Sequence, residues 1–178
     1  MTIDELNFGL EKLKAVSTLK RLMANYFDPR VWAKLPSTSV DLPWGAYDGI
    51  KGYVKCYKYD HGVPMTDDAE PLSPEAAAEF EKEHGVWDEE GSGMMIDHTY
   101  TTPVIEISED GQSARGVWLS AGTENFGYGD QIDNEKDIGF GGWSWSKYAF
   151  DFRKIDGEWK IWHYHRSHET AVRGYHGP

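Results

Sequence analysis

Apolar residues at Leu6, Leu10, Leu13, Val16, Leu19, Leu22 and Tyr26 recur every three or four positions and leave a charged opposite face. This spacing predicts one long amphipathic helix, or two in succession, over 2–27. Pro29 ends it, and 29–35 reads as a further helical turn, since proline is tolerated at a first helical position. Over 47–59 the stripe Ile50, Val54 and Tyr57 predicts a third helix. Residues 61–94 are rich in Gly, Pro and acid, with a short helix at 73–83 that Ser73 caps and Pro74 enters. That segment reads as an insertion over the mouth of a pocket.

From Met95 onward the period changes to two, the period of strands. Runs at 102–108 and 113–119 flank Asp110-Gly111, and runs at 143–154 and 159–165 flank Asp156-Gly157, two hairpin signals. Between them 122–142 is a Gly- and Asp-rich loop. If Asp156-Gly157 is a two-residue turn with unbroken pairing, Phe152 faces Ile161, Phe150 faces His163 and Tyr148 faces His165, on one side with Trp159. The other side then carries Trp143, Trp145, Trp162 and Tyr164. A sheet aromatic on both sides predicts that one side meets the helices and the other a second copy of the chain, a homodimer through the outer sheet face. The competing arrangement folds 61–94 back over that outer face.

At 178 residues and 20.3 kDa the chain suits one domain spanning 1–178, and its 8 Trp, 10 Tyr and 7 Phe supply much of the core as rings with polar tips. A formal net charge of −12 without a basic stripe argues against nucleic acid as a partner. The lone Cys56 forms no internal disulfide, there is no CxxC motif, and no apolar signal segment or membrane-length run occurs. The expectation is a soluble cytoplasmic protein with no membrane partner.

Asn25-Tyr-Phe-Asp at a helix end, His98-Thr-Tyr-Thr-Thr-Pro-Val-Ile-Glu-Ile, Gly116-Val-Trp, and the run from Lys147 through Asp156-Gly-Glu-Trp to His163 together resemble the SnoaL-like branch of the NTF2-like superfamily. The resemblance covers about three quarters of the chain, all but 61–94 and the tail. It implies an α+β fold, a cone in which N-terminal helices pack on a curved antiparallel sheet. Enzymes of that fold, among them polyketide cyclases, scytalone dehydratase and bile-acid dehydratases, generally need no cofactor. They use Tyr, Asp and His in an apolar cone to move a proton beside a carbonyl or a leaving hydroxyl.

Tyr26 and Asp28 stand where, by that resemblance, dehydratases direct a tyrosine and an aspartate into the pocket. A carboxylate in an apolar cavity has its pKa raised and becomes a usable acid or base, although Asp28 before Pro29 also fits a simple helix cap. His98, five residues before Pro103, matches a His-x-x-x-x-Pro run of SnoaL-like sequences, while Thr101 stands where the bile-acid dehydratases carry their histidine. Strict alternation puts His98 opposite in facing to Ile105 and Ile107 unless a bulge near Thr102-Pro103 resets the parity. His163 and His165 share the expected inner face, where His163 can take a proton while Tyr148 donates to a developing oxyanion. Phe150, Trp118 and His165 then line the substrate site, joined by Trp143 and Trp145 if the strand begins with a bulge. A metal held by His163, His165 and either His168 or Asp28 is the lesser option, and no phosphate-cradling Gly-x-Gly-x-x-Gly occurs. The leading expectation is therefore a lyase, dehydratase or isomerase without cofactor or metal, acting on a bulky hydrophobic or aromatic small molecule. The alternative is a non-catalytic module that binds a hydrophobic ligand or only dimerises.

Overall fold

The computed structural model describes residues 2–43, 45–59, 62–84, 95–126 and 140–173. Helix α1 (Ile3–Ala24) opens on a capping box, in which Thr2 Oγ1 accepts from the Glu5 amide and Glu5 accepts from the Thr2 amide. Only its second half packs, through Ala15, Leu19 and Met23. The stripe expected to face the core is open further back, with Leu6 and Leu10 each 50% and Leu13 70% exposed. After α1 the chain makes a short 3-10 turn, Pro29–Val31, and Trp32 bridges to Ile161. The Trp32 indole N–H donates to the Tyr26 carbonyl at 2.6 Å, which fixes the end of α1 against the sheet.

The helix expected over 47–59 begins later than predicted, because a hairpin of β1 (Ser39–Leu42) and β2 (Gly45–Asp48) precedes it. Helix α2 (Gly49–Val54) then leads directly into a π-helical turn, Lys55–Tyr59. Gly49 at φ +66° permits the abrupt change from strand to helix, and a Cβ on Gly52 would lie 2.6 Å from the Tyr47 carbonyl carbon. The wide turn buries Cys56 and Tyr57 side by side.

Helix α3 (Pro74–His84) forms as expected, with Ser73 Oγ accepting from the Ala76 amide. The described part of the 61–94 segment packs against the inner-face core, with Val63 at its edge. Met65 and Ala69 join the core, and Glu70 pairs with Lys34 beside the 3-10 turn. Residues 85–94 and most of the expected 122–142 loop lie outside the described residues.

Strands β3 (Met95–Tyr100), β4 (Val104–Ile107), β5 (Ser113–Phe126), β6 (Phe140–Ile155) and β7 (Glu158–Arg173) complete a seven-stranded sheet. Its order is β2-β1-β7-β6-β5-β3, with β4 also on β5. The sheet is mixed, not wholly antiparallel: β1 runs parallel to β7, pairing Val40 with Tyr164. The Asp156-Gly157 turn has both residues at positive φ, 51° and 85°, the two-residue geometry that matches strand twist. The inner face packs on α1, α2 and the π turn in one core containing Leu19, Met23, Trp32, Tyr53, Tyr57, Trp118, Phe150 and Phe152. Among the described residues no helix is long and apolar enough to cross a membrane.

Candidate active site on the inner face of the sheet

The last hairpin starts in the expected register and then leaves it. Phe152 pairs with Ile161, but Asp151 pairs with His163, Phe150 with Tyr164 and Tyr148 with Arg166. One extra residue in β7 makes a bulge at Trp162-His163, and the side chains from there to His168, where a second irregularity follows, change face. His163 and His165, expected inside, therefore lie on the outer face, and Tyr164 and Arg166 replace them within. Polar partners explain the choice. The Trp162 indole N–H donates to Ser37 Oγ at 3.1 Å, and Arg153 stacks on its ring at 3.7 Å. His163 Nδ1 meets Asp151 Oδ2 at 3.2 Å, and its Nε2 meets the Ser37 carbonyl at 2.9 Å. Burying that imidazole against Phe150 would forfeit both partners, whereas Tyr164 stacks there at 4.6 Å between ring centres.

A second irregularity brings a histidine in. Strand β3 ends at Tyr100 and β4 restarts at Val104, so that His98 pairs with Gly122 while Ile105 pairs with Gly116. Thr101 occupies the break, its amide donating to the Leu119 carbonyl and its hydroxyl accepting from the Leu119 amide. The parity reset puts His98 on the same face as Ile105 and Ile107. Its Nδ1 lies 3.1 Å from Ser120 Oγ and its Nε2 lies 3.3 Å from Ser144 Oγ. Both serines are buried, as is Ser146.

Polarity rises along the inner face from the turn end of the sheet. Ile107, Ala114, Phe152 and Ile161 form one row, Ile105, Gly116, Phe150 and Tyr164 the next, then Trp118, Tyr148 and Arg166, then Tyr100, Ser120 and Ser146, and finally His98 and Ser144. Arg166 Nε and Nη2 each lie 3.3 Å from Ser146 Oγ, and its guanidinium sits 5.3 Å from the Tyr148 ring centre. Tyr26, at the end of α1, completes the wall by hydrogen bonding to Tyr100 and standing 5.4 Å from the Tyr164 ring. Burial, reinforced by neighbouring phenols, pushes the Tyr26 and Tyr164 hydroxyls well above their ordinary range, so both stay protonated.

Chemically, a serine hydroxyl both donates and accepts. Two of them, one at each imidazole nitrogen, hold His98 in either tautomer and after it gains a proton. Neither serine has to leave for the ring to change state.

Of the other expected residues, Tyr148, Phe150 and Trp118 face inward and are buried. Trp143 and Trp145 point outward, 61% and 51% exposed, since no bulge interrupts β6 before the buried Ser144 and Ser146. Asp28 is turned to Arg30, whose guanidinium it holds through both carboxylate oxygens, and it caps the 3-10 turn by accepting from the Arg30 amide. The Arg30 hydrogen bonds hold its carboxyl below the usual range, opposite to the rise expected of a pocket acid. His165 lies 3.9 Å from Asp41 on the outer face, and the side chain of His168 is outside the described set. Among the described residues no three His, Cys, Asp or Glu side chains gather as a metal-holding group. A depression of about 360 Å³ at the turn end is lined by Arg30, Lys34 and Lys160, and each cation already pairs with a carboxylate, Asp28, Glu70 and Glu158 respectively.

The three serines, Tyr100 and Arg166 were not among the expected residues, and Tyr164 was expected on the other side of the sheet. The serines were within reach: Ser144 and Ser146 share parity with Tyr148 and Phe150. Arg166 was not, because only the bulge turns it inward.

The sequence profile of the SnoaL-like domain matches residues 10–165. A search of curated proteins returns no match. Among solved structures the chain is similar to hexachlorocyclohexane dehydrochlorinase LinA-type3 from Novosphingobium barchaimii LL02, with a TM-score of 0.59, 12% identity, and 94% of this chain and 95% of that one covered. It is also similar to a candidate scytalone dehydratase from Novosphingobium aromaticivorans DSM 12444, with a TM-score of 0.56, 13% identity and coverage of 94% and 92%. An NTF2-like protein with a cystatin-like fold from Novosphingobium aromaticivorans gives a TM-score of 0.54 at 13% identity, covering 94% and 90%. At these identities the likeness establishes the cone-shaped α+β fold.

Proposed function

The chain belongs to the SnoaL-like domain family, and from that premise we propose that it is a lyase, dehydratase or isomerase working by proton transfer, without a cofactor, on a bulky hydrophobic or aromatic small molecule. The observation that carries this reading is His98 on the inner face, seated between the hydroxyls of Ser120 and Ser144. In this mechanism His98 takes the proton from carbon or delivers it to the leaving group. Arg166 and the protonated Tyr26 and Tyr164 stabilise negative charge developing on an oxygen or a departing group, in surroundings that amplify each hydrogen bond. Tyr148, Phe150 and Trp118 supply the apolar wall that selects the substrate class.

Asp28 has no part in this reading, because its charge is already committed to Arg30. His163 has none because it faces the other side of the sheet.

The test titrates neutral aromatic and polycyclic compounds by Trp fluorescence and follows the bound ones by mass spectrometry for conversion. His98→Gln is expected to lower kcat by ~10² or more, and Arg166→Met by ~10². Undiminished turnover in His98→Gln refutes the mechanism. Tight binding with no conversion by the unaltered protein supports the ligand-binding module instead. We also propose that the outer sheet face, where Val117, Leu119, Trp143 and Trp145 are exposed, receives a second copy of the chain.

A further inference from the structure

The outward side chains of β6 form a sequence that is complementary to its own reverse. Centred on Ala149, they are Trp145 and Lys147 on one side and Asp151 and Arg153 on the other. Two residues from the centre an ammonium answers a carboxylate. Four residues from it an indole answers a guanidinium. These are two pairings that attract across an interface, by charge and by cation–π contact. The alternation is unbroken along this stretch, for Ser144, Ser146, Tyr148, Phe150 and Phe152 are all buried on the opposite face, and the bulge lies in β7.

We propose that two copies of the chain pack outer face to outer face with their β6 strands antiparallel and a twofold axis passing over Ala149. The proposal rests on the outer-face reading above and adds its register. An axis lying in the interface and crossing β6 carries each residue n places after Ala149 over the residue n places before it. Lys147 then meets the partner's Asp151 and Trp145 meets the partner's Arg153, each twice. Arg153 already has Trp162 on one guanidinium face at 3.7 Å, so the partner's Trp145 completes a sandwich. Asp151 Oδ2 keeps His163, and Oδ1 turns to the partner's Lys147. Next to Ala149, Val117 in β5 meets the partner's Val117, and Leu119 lies over the partner's Arg115.

The small side chain at the centre lets two sheets reach the ~10 Å spacing of aligned packing. Self-complementarity is the property an isologous contact requires, and a foreign protein has no cause to match it. The in-chain alternative is not supported by the described part of 61–94, which is tied to Lys34 and the core while Trp143 stays 61% exposed.

Size-exclusion chromatography with light scattering on the full chain at micromolar concentration should give a dimer. Ala149→Glu, which sets two carboxylates against each other on the axis, should raise the dissociation constant at least ~10-fold while the far-UV spectrum is unchanged. Lys147→Asp and Asp151→Lys should each weaken the dimer, and the two together should restore it. Cross-linking gives a measure independent of those variants. Cys56 is 0% exposed, so Ala149→Cys carries the accessible thiol. A short bismaleimide should join it to the partner's copy, but should not join Trp143→Cys, ~20 Å from the axis. A monomer or a trimer overturns both the outer-face reading and the register. A dimer indifferent to Ala149→Glu, or a double charge exchange no better than its singles, overturns the register alone.

Discussion

Gly116 is the position where the smallest chemical change should strain the inner face most. A Cβ built there lies 2.6 Å from both Cη2 and Cζ3 of Trp118 and 3.4 Å from Cγ1 of Ile105. Carbon atoms settle near ~3.5–4.0 Å, so the indole must retreat by about 1 Å. It has little room to do so, being 3% exposed and set edge-on to Phe150 at 5.6 Å and near Phe152 at 6.4 Å. Overpacking of this kind costs ~1–3 kcal/mol, which in a chain of this size corresponds to a melting temperature lower by ~2–12 °C. Urea titration of Gly116→Ala followed by far-UV circular dichroism reads the cost directly. The cause is separable, because Trp118→Leu removes the ring that the new methyl strikes. In that background Gly116→Ala should cost less by ~1–2 kcal/mol, a coupling expected of touching side chains. A loss under ~0.5 kcal/mol in the unaltered background, or the same loss in both, would mean that Trp118 does not lie over Gly116.

Three other outcomes follow from the same packing. The Arg30 guanidinium holds the Asp28 carboxyl below its ordinary value, so this pair adds stability above the unfolded pKa of ~3.9 and loses it as pH falls through the folded value. Asp28→Asn should therefore cost ~1 kcal/mol at neutral pH, with the gap to the unaltered protein closing below pH ~4 in thermal melts; a gap constant from pH 7 to 3 excludes the linkage. The Tyr53 hydroxyl is buried with no hydrogen-bond partner among the described residues, and Tyr53→Phe should raise stability by ~1 kcal/mol, an expectation that any measurable destabilisation defeats. His163→Ala removes both the Asp151 and Ser37 contacts and should lower stability by ~1–2 kcal/mol in urea titration; no change would mean that the imidazole does not tie the Ser37 loop to the sheet.

Much of the architecture was legible in local pattern. The helical period before Tyr26, the short helix that Ser73 caps, the change to period two near Met95, and both Asp-Gly hairpins are properties of neighbouring residues and survive in the structure. The β1–β2 hairpin was missed because its strands are only four residues each, and β1 pairs with β7, more than a hundred positions away. Likewise the exposed half of α1 carries a sound amphipathic stripe, and nothing in the stripe says how far the sheet extends beneath it.

Residue order along the chain suffices for the kinds of element, the aromatic supply of the core, the acidic surface and the alternation that faces Tyr148 and Phe150 inward. Tertiary structure decided which histidine joined them. A strand's facing is set by counting in twos, so a single inserted residue reverses everything beyond it. Both reversals here depend on distant partners: Ser37 and Asp151 hold the bulge that turns His163 out and Arg166 in, and Leu119 receives Thr101 at the break that lets His98 reach Ser120 and Ser144. Counting along one strand cannot anticipate those partners, because they come within reach only once the sheet has formed.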